Sequence, residues 1–303
     1  MKRVVSVSLG SSKRDHSVQL ELLGQKITVE RRGTDGSLVK AAALLRELDG
    51  QADVLALGGV NLHLRAGDKL YPLRDGQRLA ENVRETSLVD GSGIKDVVEA
   101  RIIKQLVQQQ GWPKPGQRVL VVSALDRWRL AESLETAGCR LTIGDAMFAL
   151  KLPLPFHSLR TFYAAARLTL PVLCNLPIKM LYPLGKKQET SVNCWKGFYE
   201  RADIIAGDFH FIRRHMPRWL PGRSIITSTV TSEDREFLRD RGIKYLVTTC
   251  PNLQGRNFGA NVIEAICIAL LNKPLQQIKP VMYTAILEEL GWLPVITKMD
   301  NGR

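Results

Sequence analysis

Apolar positions in the first third of the chain come in short runs at 4–9, 18–23 and 26–31, broken by Gly, Ser and charged residues, which predicts three strands. At 38–48 the spacing changes to that of a helix, ending near Gly50. A compact apolar run at 53–57 leads into Gly58-Gly59 and predicts a fourth strand. Residues 62–65 and 69–73 flank Ala66-Gly67-Asp68 as a small hairpin, 74–84 has the pattern of a short helix, and 94–110 that of a longer one.

After Gly116 the pattern alternates strand and helix, as in a parallel sheet covered by helices. Strands are predicted at 118–123, 140–143, 203–206, 223–226 and 244–247. Between and after them come a helix at 126–137 closed by Gly138, one opening at Thr231-Ser232 with Glu233 and Asp234 in its first turn, and one at 260–271. The fold class is therefore α/β with two domains, the second a Rossmann-like parallel sheet with helices on both faces. The break at Gly111–Gly116 divides a mixed amino-terminal domain of substrate-binding type (1–110) from a nucleotide-binding-type domain (111–303). Residues 152–195 are too long for a plain connection and form a helical, Pro-rich insert. As a lid it would bring Lys179, Lys186 or Lys187 to an anion; an oligomer contact and a membrane-resting basic surface are its other roles.

Polar residues gather where the strands of the second half end: Ser123, Asp145, Asp208, Thr227 to Thr229, and Thr248-Thr249. The carboxyl ends of parallel strands lie along one edge, and ligands occupy the crevice outside them. Hydroxyls and carboxylates there suit a ribose or a phosphate. Asp145 lies 22 positions beyond Ser123, about where an acid binds the ribose hydroxyls of NAD in Rossmann folds.

Composition narrows the partners. The 303 residues are 45% hydrophobic and 24% charged, as in an ordinary globular protein. The formal net charge is +13, and residues 151–223 hold twelve Lys and Arg against four acids, a field that attracts a small anionic metabolite or a nucleotide. No module that reads DNA or RNA is recognisable, and the apolar stretch 168–184 is too interrupted by Pro171, Pro177 and Pro183 to span a membrane. Five scattered cysteines without a C-x-x-C point to a reducing cytoplasm, and neither they nor the five histidines form a metal motif. Asp208 with His210 has the makings of an acid–base pair, in a run that is equally a helix with one cationic face.

The stretch Val89-Asp90-Gly91-Ser92-Gly93, the helix after it, Lys114-Pro115-Gly116-Gln117-Arg118-Val119-Leu120-Val121-Val122, and a helix ending Ala137-Gly138 together resemble the quinate/shikimate 5-dehydrogenase family. The resemblance covers the order of elements from about residue 88 to 271. It implies an NAD(P)-dependent oxidoreductase acting on a small hydroxylated carboxylic acid such as quinate or shikimate, with NAD or NADP as cofactor. Asp90 matches the family's acid, which works beside a lysine at the substrate hydroxyl; by position alone, Lys69 is the first-domain candidate for that lysine. Ser123, Arg127, Asp145, Asp208, Thr227, Thr229, Thr248 and Thr249 would hold the nucleotide. Two departures stand out. The loop after the first strand reads Ser123-Ala124-Leu125-Asp126-Arg127-Trp128, without the family's glycines, and no N-x-T-x-P-x-K segment occurs in the first domain. They open two rival readings: a non-redox ligand-binding or regulatory protein, and a nucleotide-using transferase, both on a degenerate Rossmann fold. A homo-oligomer is compatible with each.

Overall fold

The computed structural model describes residues 1–181, 194–253, 256–292 and 295–299. Strand β1 (Lys2–Ser8) buries Val4, Val5 and Val7 on its two faces, as a central parallel strand requires. Strands β2 (His16–Leu22) and β3 (Gln25–Gly33) form a hairpin whose loop, Leu23-Gly24, has φ of 50° and 71°, the left-handed pair of a tight hairpin turn. Helix α1 (Leu38–Leu48), capped by the Ser37 side chain, lays Ala41, Leu45 and Leu48 on the core. Strand β4 (Val54–Gly58) follows, then the hairpin β5 (His63–Ala66) and β6 (Lys69–Pro72), helix α2 (Arg74–Ala80) and strand β7 (Ser87–Val89). The first sheet runs β2-β3-β1-β4-β7 and is parallel except for β2.

Helix α3 (Ser92–Gln110) carries the chain to the second sheet. There β8 (Arg118–Val121), α4 (Trp128–Thr136), β9 (Arg140–Ile143) and α5 (Asp145–Leu150) precede the insert helices α6 (Leu159–Leu173), α7 (Ile178–Leu181) and α8 (Lys196–Arg201). Next come β10 (Ile204–Ala206), α9 (Phe209–His215), β11 (Ser224–Thr227), α10 (Ser232–Asp240) and β12 (Tyr245–Thr248). A short ribbon, β13 (Asn252–Leu253) with β14 (Arg256–Asn257), leads to α11 (Ala260–Leu271), α12 (Pro280–Glu289) and β15 (Val295–Lys298). The sheet order is β9-β8-β10-β11-β12-β15, with only β15 antiparallel. That is the doubly wound order of an α/β protein, and it sets the five parallel carboxyl ends side by side.

One packing relation departs from the sequence reading. Helix α11, expected in the second domain, packs on β1 and β4 of the first sheet and against α3. Ten of its twelve residues are buried, so it is apolar on every side and its periodicity could not indicate which sheet it covers. Helix α12 joins it against α3, and the chain then returns to add β15 to the second sheet. The division 1–110/111–303 therefore cuts across the packing: the first lobe takes its cover from residues 260–289.

The insert is docked on both lobes. Helix α6 packs on β5 and α4, and Cys174 O accepts from Arg74 N at 2.9 Å. Lys179 is exposed on α7 and does not line the cleft between the sheets. Lys186 and Lys187 lie outside the described residues.

Candidate functional site

The carboxyl ends of both parallel sheets face one another across a cleft of about 220 Å³. The first lobe contributes Ser8 and Gly10 after β1, Gly58 to Asn61 after β4, Asp90 after β7, and Asn261 in the first turn of α11. The second contributes Asp126 and Arg127 after β8, Asp208 and His210 after β10, and Ser228 and Thr229 after β11. Close backbone approach shapes the first wall. A Cβ on Gly58 would meet Ser8 Oγ at 2.9 Å, and one on Gly91, at φ +91°, would meet Asn261 N at 2.5 Å.

Arg14 and Arg31 border the same wall. Arg31 donates from Nη1 to Asp15 Oδ1 at 2.8 Å and from Nη2 to Ser8 Oγ at 3.1 Å. Burial holds its pKa below the ordinary value, against the pull of Asp15.

Helix α3 sends Lys95 and, one turn on, Glu99 toward the second lobe, where the loop after β8 receives them. Lys95 Nζ lies 2.7 Å from Asp126 Oδ1, which also accepts from Asn61 Nδ2. Burial works to lower the Lys95 pKa, and Asp126, helped by Asp90, outweighs it and holds the ammonium charged. Burial likewise works to raise Asp126, and Lys95 with Arg127 brings it below the usual carboxylate range. Arg127 Nη1 meets Glu99 Oε1 at 2.6 Å, each side chain only 1% exposed. Burial pushes the Glu99 carboxyl up to about 7 against the attraction of Arg127. On the far side of α3, Glu264 of α11 accepts from Tyr283 Oη at 2.9 Å; burial and the charge of Asp90 push it up to about 7. Together with Asp90, these ionisable groups run from α11 through α3 to the β8–α4 loop.

The expected site residues fall into two groups. Asp90, Arg127, Asp208 and Thr229 line the cleft. Asp90 is engaged there, accepting from Leu62 N at 2.6 Å and from Ser92 N and Oγ at 3.0 and 2.6 Å. Asp208 caps α9 through His210 N. The Thr229 hydroxyl is buried with no hydrogen-bond partner among the described residues.

The other group is turned inward. Ser123 Oγ accepts from Asp208 N at 2.9 Å, while Thr227, Thr248 and Thr249 are buried and do not line the cleft. Asp145 does not present its carboxylate to a ribose. It accepts from Ala124 N at 2.8 Å and Leu125 N at 2.9 Å, closing the loop that lacks glycines, and burial pushes it up to about 6. Lys69 does not meet Asp90 in the cleft either. It is exposed on β6 with its ammonium over the Tyr71 ring at 5.2 Å, because a hairpin lysine keeps its charge in water. The lysine whose field joins that of Asp90 is Lys95.

Sequence reasoning missed Lys95, Glu99, Asn61, Asn261 and the two arginines. A signal was present for the first two: a Lys and a Glu four apart in 94–110, the Glu on the stripe that also holds Ile102, Ile103 and Leu106. Asn61 and Asn261 carried none, since only the fold brings them to one cleft. No group of three or more His, Cys, Asp or Glu is placed to hold a metal among the described residues, and no helix there is long and apolar enough to cross a membrane.

Comparison with known proteins adds the following. A family model described as "Domain of unknown function (DUF8754)" matches residues 93–299, and one described as "Domain of unknown function (DUF8753)" matches residues 3–90. No curated protein matches the sequence. Among solved structures the chain is similar to a hetero-hexameric glutamate dehydrogenase from Thermus thermophilus, at 13% identity over 96% of this chain and 74% of that one, TM-score 0.43. It is also similar to a sugar ABC transport substrate-binding protein from Bordetella parapertussis, at 10% identity over 99% and 91%, TM-score 0.39. A third is GanP, a glucose-galactose binding protein from Geobacillus stearothermophilus, at 10% identity over 99% and 98%, TM-score 0.38. At such identities the likeness concerns the α/β fold alone.

Proposed function

We propose, for a chain that belongs to the family described as Domain of unknown function (DUF8754), that the cleft between its sheets binds a small hydroxylated carboxylic acid of the quinate or shikimate kind. One observation carries this reading: strand carboxyl ends from both lobes wall a single polar chamber, and the Thr229 hydroxyl stands there buried and without a partner among the described residues. Arg14 and Arg31 on one wall suit the carboxylate; Asn61, Asp208, Thr229 and Asn261 suit hydroxyl groups.

NAD(P)-linked oxidation of the bound hydroxyl is the second reading. Lys95, held charged 2.7 Å from Asp126, supports it: its ammonium would orient the substrate hydroxyl, and the carboxylate of Asp90 in the same cleft would take the alcohol proton. A dinucleotide along the second sheet's edge would first have to open the 123–127 loop that Asp145 closes.

Thermal unfolding with quinate, shikimate, NAD and NADP tests both. A ligand at one hundred times its dissociation constant stabilises by about 2.7 kcal/mol, a shift easily read. Quinate or shikimate should give it, and Thr229→Val should reduce it. Silence with every hydroxy acid overturns the binding reading. If acids bind and nicotinamide reduction never appears, or if Asp90→Asn and Lys95→Met leave turnover unchanged, the oxidoreductase reading falls.

A further inference from the structure

Beside the polar cleft, under α6, lies a second chamber of about 260 Å³. It exceeds the ~150 Å³ that suffices for benzene in an apolar cavity. Helix α6 forms one wall with Phe162, Ala166 and Leu170, four residues apart, and α5 adds Ala149 to the lining. Alanines at 149, 165 and 166 leave the space that larger side chains would fill. Its carboxylates, Asp126 and Asp145, are already bonded to Lys95 and to backbone N–H groups, so the chamber suits hydrocarbon. It is not isolated. Asp126 and Phe211 border both chambers.

We infer that this chamber seats an aryl group carried by the ligand whose hydroxylated acid end lies in the cleft, a conclusion that rests on the binding reading above. Asp126 and Phe211 border both chambers, and on this proposal one molecule reaches past them from one into the other. Eight leucines make up the largest share of its lining, and the aryl arm rests on the three phenylalanines among them. Phe156, Phe162 and Phe211 come from three separate segments, and Phe156 and Phe162 already meet tilted at 5.3 Å between centroids, the geometry a further ring extends. The substrate class is thus an aryl derivative of a hydroxy acid, with the ester or ether oxygen passing beside Asp126.

Isothermal titration of the whole protein with quinate, benzoate and a benzoyl ester of quinate tests this. The ester should bind at least about tenfold tighter than quinate, the least expected from burying one ring. Ala165→Phe on α6 and Ala149→Phe on α5, both lining the chamber and only partly buried, should abolish that gain and leave quinate affinity as in the wild type. Equal affinities for ester and quinate, or a gain that survives in whichever variant keeps its native near-ultraviolet dichroism, overturns the inference. Benzoate bound by the wild type and lost in the variants, with quinate bound by none, keeps the aryl chamber and sinks the cleft reading.

Discussion

Replacing Arg127 by Met should unfold this protein far more readily than replacing Arg127 and Glu99 together. The two side chains meet at 2.6 Å with 1% exposure each, so neither has water to turn to if its partner is removed. Arg127→Met leaves a buried carboxylate, and breaking such a pair costs about 3–5 kcal/mol. Arg127→Met with Glu99→Leu removes both charges and should be close to neutral, since buried pairs replaced by apolar groups of similar volume commonly are. The sign with pH follows from Glu99, which burial already pushes up to about 7 with Arg127 in place. A carboxyl raised in the folded state favours folding in its neutral form, and that contribution is lost as pH rises through the folded value. Arg127→Met raises that value further, so the single variant's deficit should be small near pH 5, begin to open near pH 7 and keep growing as pH climbs toward the variant's own higher value. Urea unfolding followed by tryptophan fluorescence, to which Trp128, buried next to Arg127, contributes with four others, reads all of this. Equal losses in single and double variants, or a deficit that does not change with pH, would refute the reasoning.

Glu264, pushed up to about 7 by burial and Asp90, should cost the wild type on the order of 3 kcal/mol as pH climbs from about 4.5 past 7, and Glu264→Gln should flatten that part of the stability curve. An unchanged slope by denaturant titration would count against it. Gly91→Ala should lose about 2 kcal/mol or more in chemical unfolding, because φ is +91° and the new methyl meets the Asn261 backbone. Asp145→Ala should cost about 1–3 kcal/mol and speed amide exchange at Ala124 and Leu125, whose N–H groups lose their acceptor. Exchange as slow as in the wild type would show that the carboxylate does not hold the loop.

The strands and helices were largely legible because surface helices such as α1 and α6 lay a simple period on one buried face, while central strands such as β1 read as short continuous apolar runs. The parallel sheet of the second half followed from alternating elements, and its strand ends do share one edge. Side-chain direction was not legible. Asp145 has the spacing of a ribose-binding acid, yet in a loop without glycines two N–H groups need an acceptor, and the nearest carboxylate turns to them. Asp90 lines the cleft, while Lys69, chosen by its position in the chain, lies on β6 away from it; the lysine that lines the cleft in the field of Asp90 is Lys95, five residues on, in α3. Asn61, Arg31 and Asn261 reach the cleft from three distant segments, a meeting that no local pattern encodes.

The return of the carboxy-terminal helices to the opening sheet has a practical outcome for anyone cutting this gene. A fragment stopping at residue 110 would bare the face of β1 and β4 that α11 shields, exposing Val4, Val54 and Ala56 to solvent, and should aggregate. A fragment starting at 111 would carry α11, with ten of its twelve residues made for burial, and the apolar face of α12 with nothing to lie on. The halves are interlocked like a clasp, so either is best obtained by co-expression with the other.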